Sequence, residues 1–171
     1  MQAAVVIPIA RHREPTIIFV RRADHLRRNP GQVAFPGGLV DAGDGDDRMT
    51  TALRECEEEL GIARDRLRVI GRLDDTEVFA RNVRITPFVA LLDPPYTLQP
   101  DASEIAEVFE VPVTAVFAPN AVHEGDEPVG NGLIRTWQFD YAAMHVWGAT
   151  GQILQQFVSR YTGATEQLLA V

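Results

Sequence analysis

Four glutamates lie within five residues of one short segment, "RECEEELG", residues 54–61. Glu55, Glu58 and Glu59 are neighbours on a helix, because residues three and four apart share one side of it. Like charges at this spacing destabilise a helix by about 0.2–0.5 kcal/mol per pair, and here they also stand near the negative end of the helix dipole. A hard divalent cation bound by carboxylate oxygens would compensate both effects. The alternative is a solvated acidic face that is partly paired with Arg54.

These carboxylates can lie side by side only on a helix, and that helix must pack on an apolar core. The spacing predicts a helix over residues 48–60, with the glutamates on a stripe well away from the apolar one. The apolar stripe consists of Met49, Leu53, Cys56 and Leu60. Gly61 is suited to end the helix, because glycine adopts the left-handed conformation that follows a last turn.

Strands are predicted on both sides of this helix. Runs rich in valine, isoleucine and other apolar residues cover 3–10, 16–22, 68–73, 84–92, 104–113 and 130–141. A long loop rich in glycine, proline and aspartate is predicted over 23–47, and loops of this length in a compact domain are usually functional. Short and closing helices are predicted near 112–117 and over 144–161. Strands mixed with a few helices favour an α/β or α+β sandwich.

Length, charge and cysteine content limit the class of protein. The length of 171 residues predicts one domain over 1–171. All 16 basic residues are arginine, and residues 85–171 hold the excess acid that gives the net charge of −8. Such a protein is a poor general binder of nucleic acid, and no apolar run is long enough for a bilayer. The single cysteine, Cys56, fits a reducing compartment. We therefore expect a cytoplasmic monomer or homodimer with no nucleic-acid or membrane partner.

The segment from Gly38 to Ile62 resembles the Nudix box, which has a glycine, an acidic position, Arg-Glu, two further glutamates, a glycine and an aliphatic residue. The matching end consists of Arg54, Glu55, Glu58, Glu59, Gly61 and Ile62. The acidic position departs from the pattern, because an aspartate-rich stretch about two residues too long replaces the usual glutamate. Asp44 has the usual distance from Gly38, whereas Asp46 has the usual distance from Arg54.

This resemblance implies a Nudix-type αβα sandwich with a mixed β-sheet that hydrolyses a nucleoside diphosphate linked to another group. It implies that Glu55 and Glu59 bind Mg²⁺ or Mn²⁺, that Glu58 is a further ligand or the base that orients water, and that Arg54 belongs to the catalytic set. Divalent cations neutralise phosphate oxygens and help to generate hydroxide. The backbone at Gly37 and Gly38 is suited to approach the phosphates closely.

The segment from Arg22 to Gly38 resembles the motif that precedes the Nudix box in coenzyme A pyrophosphatases. Its matching residues are Arg22, Arg27, Gly31, Phe35, Pro36, Gly37 and Gly38. The resemblance implies that coenzyme A, and acyl-coenzyme A esters as further substrates, are cleaved to 3′,5′-ADP and 4′-phosphopantetheine.

The residue types in this motif suit that substrate. Coenzyme A carries a 3′-phosphate besides its diphosphate, and the guanidinium groups of Arg22 and Arg27 match phosphate geometry. Salt bridges to Asp24 or to the acidic loop are the alternative for these arginines. Phe35 either packs in the core or forms a wall for the pantetheine arm, and Gly31 serves a backbone turn.

The general base has several candidates. Glu55 or Glu58 could serve from the helix, and in some related enzymes a glutamate of a distant loop takes the role. The loop candidates are Glu104, Glu107, Glu124 and Glu127, of which Glu104 ends the proline-rich loop. Residues 123–132 are polar and glycine-rich and are predicted to form a flap over the site.

Two other functions compete with coenzyme A hydrolysis. One is hydrolysis of another dinucleotide such as ADP-ribose or NADH, which the motif from Arg22 to Gly38 disfavours. The other is a non-catalytic module that binds a nucleotide, which the intact Glu55, Glu58 and Glu59 argue against.

Overall fold

A computed structural model describes residues 1–45 and 47–163. The strands are β1 (Gln2–Ala10), β2 (Thr16–Arg22), β3 (Val33–Ala34), β4 (Gly37–Leu39), β5 (Leu67–Arg72), β6 (Thr76–Val78), β7 (Val83–Leu92), β8 (Ile105–Pro112), β9 (His123–Val129), β10 (Gly132–Tyr141) and β11 (Met144–Val146). The helices are α1 (Arg48–Leu60), α2 (Val113–Val116) and α3 (Gly148–Tyr161). Short 3₁₀ turns cover Ala42–Asp44, Arg64–Arg66 and Phe79–Arg81.

The central sheet is mixed and has eight strands. Its main path runs β3-β2-β1-β7-β5, with β4 paired to β1, β6 to β7 and β8 to β2. Strands β1 and β7 are parallel from the Gln2–Arg84 pair to the Ala10–Leu92 pair, and the other pairings are antiparallel. A second, three-stranded sheet has the order β11-β10-β9.

Both faces of the central sheet are apolar, because its middle strands are hydrophobic at nearly every position. In β2, Ile17 and Phe19 enter one core cluster, whereas Ile18 and Val20 enter the other, as the two-residue period of a strand requires. Helix α1 covers the second cluster with Ala52, Cys56 and Leu60. Helix α3 covers the first with Ile153, Leu154 and Phe157. The predicted αβα sandwich with a mixed sheet is confirmed.

Helix α1 has the predicted bounds of 48–60. Its start is capped by Asp47, whose carboxylate accepts the backbone N–H of Met49 at 3.0 Å. Its end is Gly61, which has a left-handed φ of 69° and donates its N–H to the carbonyl of Glu57. Cys56 is fully buried, as the apolar stripe predicts.

Two predictions about the connecting segments are wrong. The expected loop over 23–47 contains β3 and β4, which are too short to show strand periodicity. The expected helix over 144–161 begins with strand β11, and α3 starts only at Gly148. Residues 123–132, for which a flap is predicted, contain β9, which pairs with β10 from Val129–Gly132 to His123–Gln138.

In the described ranges of the chain, no helix is both long and apolar enough to cross a membrane.

Candidate active site

The predicted site residues come together at one end of the central sheet. Strand β4 pairs with the first half of β1, from Ala3–Leu39 to Val5–Gly37, and α1 packs on both strands. Strand β2 is antiparallel to β1 and therefore ends on the same side, at Arg22. The backbone N–H of Ala23 donates to the carbonyl of Glu104 at 2.8 Å, which brings the start of β8 to this end as well.

Glu59 is the most buried of the three helix glutamates. Its side chain is 3% exposed and accepts the backbone N–H of Gly37 at 3.0 Å. Arg22 Nη1 lies 3.6 Å from Glu59 Oε1. Burial raises the pKa of Glu59 to about 8, although the Gly37 amide and Arg22 favour the charged form. Glu59 is therefore buried although it does not belong to the apolar stripe, because β4 covers it.

Glu55 lies beside Glu59 and contacts the other glycine of β4. A Cβ atom added to Gly38 would lie 2.3–2.5 Å from the three carboxylate atoms of Glu55. Burial raises the pKa of Glu55, and the neighbouring Arg54 opposes this rise. A Cβ atom added to Gly37 would meet the backbone of Ala4 and Val5 at 2.3–2.6 Å. Within the structure, Gly37 and Gly38 thus make room for β1 and for Glu55.

Arg54 connects three carboxylates. Its Nε and Nη2 donate to the two oxygens of Asp44 at 2.8 and 2.9 Å, a bidentate pair. Its Nη2 lies 2.9 Å from Glu55, and its Nη1 donates to Glu58 at 2.9 Å. Hydrogen bonding to Asp44 raises the pKa of Arg54, so the group stays charged. Arg54 therefore orients Glu55 and Glu58 and has few donors left for a substrate.

Asp44, one of the two aspartates considered for the acidic position, binds Arg54. Its carboxylate accepts the backbone N–H of Asp41 at 3.0 Å and the hydroxyl of Thr51 at 2.8 Å, in addition to Arg54. Hydrogen bonding to Arg54 holds the pKa of Asp44 well below its usual range. The competing candidate, Asp46, lies outside the described residues. The spacing Asp41-x-x-Asp44 is a capping pattern that indicates the 3₁₀ turn but not the contact of Asp44 with Arg54.

Glu58 differs from the other two glutamates. Its side chain is 58% exposed and is held by Arg54, four residues earlier on the helix. Within residues 1–45 and 47–163, no three His, Cys, Asp or Glu side chains are already arranged around a common metal position. Glu55 and Glu59 therefore lie together beside β4, whereas Glu58 is turned toward Arg54.

Arg22 lies at the same end of the central sheet as Glu59, and Gly31 shapes the loop that follows Arg22. The Arg22 side chain is 21% exposed, and its Nε is buried with no hydrogen-bond partner in the described parts of the chain. Gly31 has a left-handed φ of 68° and donates its N–H to the carbonyl of Arg22 at 3.1 Å. Gly31 therefore closes a backbone turn, as predicted.

The remaining motif residues have different surroundings. Phe35 is 3% exposed and stacks on Phe19 at 4.8 Å between ring centroids, so it lies in the core rather than on an open wall. Arg27 is exposed on the loop after β2. Asp24, the alternative partner for the motif arginines, pairs with Arg21 instead, at 3.0 Å.

Glu104 is the loop glutamate that reaches the site. It is exposed, and its charge contributes to the raised pKa values of both Glu55 and Glu59. The loop before it is fixed to the end of α1, because Gln99 and Asp101 donate their backbone N–H groups to the carbonyls of Leu60 and Glu59.

The other candidate bases have partners elsewhere. Glu107 pairs with Arg21, Glu124 with Arg135 and Glu127 with His145, the last two in the small sheet.

The carboxylates of Glu55 and Glu59 lie together, the carboxylate of Glu104 is close to both, and the guanidinium of Arg22 lies beside Glu59. Such a group of charges is suited to bind a cation and a phosphate. The family model described as the NUDIX domain matches residues 1–131. The chain belongs to the Nudix family.

Similar proteins agree with this assignment. The uncharacterized Nudix hydrolase NudL of Enterobacter sp. (strain 638) is 35% identical over 155 residues, which cover 91% of this chain and 80% of that protein. The protein of the same name from Photorhabdus laumondii is 35% identical over 158 residues, which cover 92% of this chain and 83% of that protein.

Solved structures share the fold. A C. elegans Ap4A hydrolase binary complex aligns with a TM-score of 0.60 and 18% identity, over 95% of this chain and 98% of that one. The NUDIX domain of Shewanella oneidensis NrtR, complexed with ADP ribose, aligns with a TM-score of 0.61 and 15% identity, over 94% and 87% of the two chains.

Family membership makes this Nudix protein a hydrolase of the pyrophosphate bond in a nucleoside diphosphate derivative. Nudix hydrolases generally use a divalent metal ion such as Mg²⁺ or Mn²⁺.

Proposed function

We propose that this Nudix hydrolase cleaves the diphosphate bridge of coenzyme A and of acyl-coenzyme A esters, in the cytoplasm, to 3′,5′-ADP and 4′-phosphopantetheine. The observation that carries the proposal is the position of Arg22, the first residue of the coenzyme A motif. Its guanidinium lies 3.6 Å from the buried Glu59 and keeps a buried Nε without a hydrogen-bond partner in the described chain. A phosphate oxygen of the substrate would satisfy this donor.

The carboxylates fit a divalent cation. Glu55 and Glu59 both have raised pKa values because they are buried, and a cation would relieve this cost of ionising them. We assign Glu55 and Glu59 as the ligands, with Glu58 joining them when it leaves Arg54. When bound, Mg²⁺ or Mn²⁺ neutralises the diphosphate oxygens and lowers the pKa of a bound water.

The protein's own groups orient the substrate and move the proton. Arg22 holds a phosphate beside the carboxylates, and Arg54 keeps Glu55 and Glu58 in place. Glu104 is exposed and has no ion-pair partner in the described ranges, so its carboxylate is open to accept the proton of the attacking water. We therefore propose Glu104 as the general base.

The test is to incubate the protein with Mg²⁺ and, separately, with coenzyme A, ADP-ribose or NADH, and to analyse the products by chromatography. Release of 3′,5′-ADP from coenzyme A, with little product from the other two, is the expected result. Preferential release of AMP from ADP-ribose would overturn the substrate assignment. Tight binding with no product from any of the three would identify a non-catalytic module.

A matched pair of variants tests the site within the same assay. Glu59→Gln removes the buried carboxylate, and turnover should fall by at least about a hundredfold. Glu57→Gln changes a glutamate of the same helix that pairs with Arg64 instead, at 2.6 Å, and should retain turnover within about twofold. Near-normal turnover by Glu59→Gln would contradict the metal assignment.

A further inference from the structure

Three arginines near the catalytic end face no carboxylate within the described chain. Most arginines of the protein form ion pairs, for example Arg21 with Asp24, Arg84 with Glu77 and Arg64 with Glu57. Arg27 and Arg28, on the loop after β2, and Arg81, on the turn before β7, form none in residues 1–45 and 47–163 and are exposed. In a protein with a net charge of −8, this group of uncompensated positive charges is unusual.

One contact joins the two segments that carry these arginines. Arg81 Nη1 donates a hydrogen bond to the side-chain oxygen of Asn29, which directly follows Arg28. Asn29 has a left-handed φ of 51°, and its carbonyl accepts the backbone N–H of Gln32 at 3.3 Å, so it sits in a defined turn. The turn before β7 is thereby joined to the loop that carries Arg27 and Arg28.

This loop is continuous with the catalytic centre. Its two ends are closed at Arg22, whose N–H donates to Gln32 and whose carbonyl accepts from Gly31. Arg22 in turn lies beside Glu59.

We propose that Arg81 and Arg28, together with Arg27, bind the 3′-phosphate of coenzyme A, while the diphosphate would be bound by Arg22 and by the cation that the glutamates hold. A phosphate monoester is a dianion, and planar guanidinium groups bind it with several parallel hydrogen bonds. The side-chain oxygen of Asn29 fixes the orientation of the Arg81 guanidinium. This inference rests on the proposed function, because it assigns one part of the same substrate.

The test compares hydrolysis of coenzyme A with hydrolysis of 3′-dephospho-coenzyme A, which differs only in lacking that phosphate. For Arg81→Gln and Arg28→Gln, kcat/KM on coenzyme A should fall by about tenfold each, and kcat/KM on the dephospho compound should change less than about twofold. Arg13→Gln is the matched control. It removes an exposed arginine from the turn between β1 and β2, at the opposite end of β2, and should change neither value.

A second variant tests the role of Asn29 without removing an arginine. Asn29→Asp keeps the size of the side chain and tolerates the left-handed turn, but it places a negative charge against Arg81. It should lower kcat/KM on coenzyme A selectively, as Arg81→Gln does. The unchanged rate on the dephospho compound shows that each variant is folded.

Two results would overturn the inference while the proposed function stands: an equal fall on both substrates, or no fall on either. If the wild-type protein does not hydrolyse coenzyme A, the proposed function is wrong, and binding of 3′,5′-ADP and 5′-AMP by calorimetry then decides the subsite. Tighter binding of 3′,5′-ADP that Arg81→Gln abolishes supports the subsite. Equal affinity for the two nucleotides refutes it.

Discussion

The buried carboxylate of Glu59 should make the metal-free protein less stable as the pH rises. The pKa of this group is raised from 4.5 to about 8 by burial, whereas in the unfolded chain it is unshifted. Between these values the native state holds a proton that the unfolded state has lost, so unfolding becomes easier with each increase in pH. The contribution of one proton is about 1.4 kcal/mol per pH unit, or about 2–3 kcal/mol between about pH 5 and pH 7.

Glu59→Gln removes this contribution, because the amide keeps the size of the side chain and an oxygen for the Gly37 N–H but does not ionise. The measurement is the free energy of unfolding by guanidinium chloride in the presence of EDTA, at several pH values in this window. The stability of the variant relative to wild type should rise with pH by about 2–3 kcal/mol.

Glu57→Gln serves as the control, because Glu57 is paired with Arg64 at the surface of the same helix and its variant should follow the wild-type curve. Parallel curves for wild type and Glu59→Gln would refute the reasoning, since burial would then not hold the proton on Glu59.

Three other changes test the arrangement around Glu59. Gly38→Ala places a methyl group within 2.5 Å of the Glu55 carboxylate and should lower kcat by at least about tenfold. Gly43→Ala is its control and should leave kcat near normal, because a Cβ atom there meets nothing within 4 Å. Equal rates for the two variants would show that activity does not depend on the position of Glu55. Asp44→Asn weakens the bidentate hold on Arg54 and should lower both kcat and the thermal midpoint, measured by assay and calorimetry. If Glu104 is the general base, Glu104→Gln should lower kcat by about a hundredfold with little change in KM. The control Glu107→Gln should leave kcat near normal. An effect of Glu104→Gln on KM alone would contradict the role of Glu104 as the base.

Much of the fold was predictable from the sequence. Helix α1 has a regular apolar stripe, an aspartate cap and a terminal glycine, and these local signals fix both of its ends. Strand β2 was predicted at 16–22 because it is a dense run of β-branched and aromatic residues. By contrast, β3, β4 and β11 have two or three residues each, and only their partners in the sheets make them strands.

Of the site, the sequence predicted the residues but not their surroundings. A helical projection places Glu59 off the apolar stripe, and its burial comes from β4, whose glycines leave no side-chain pattern that would reveal this cover. The role of Asp44 depends on the path of a loop two residues longer than the family pattern, which spacing alone does not determine. The contact of Arg81 with Asn29 joins residues 52 positions apart, and no local pattern predicts it.

The attachment of the loop before Glu104 to the end of α1 has a consequence for hydrogen exchange. The N–H groups of Gln99 and Asp101 are bonded to helix carbonyls, one of them that of Glu59. Exchange of these N–H groups with solvent therefore breaks their hydrogen bonds to the carbonyls of the last turn of α1. We expect these two amides to exchange at the rate of the helix end rather than at the fast rate of a surface loop. The candidate base and the buried carboxylate would then open and close as one cooperative unit.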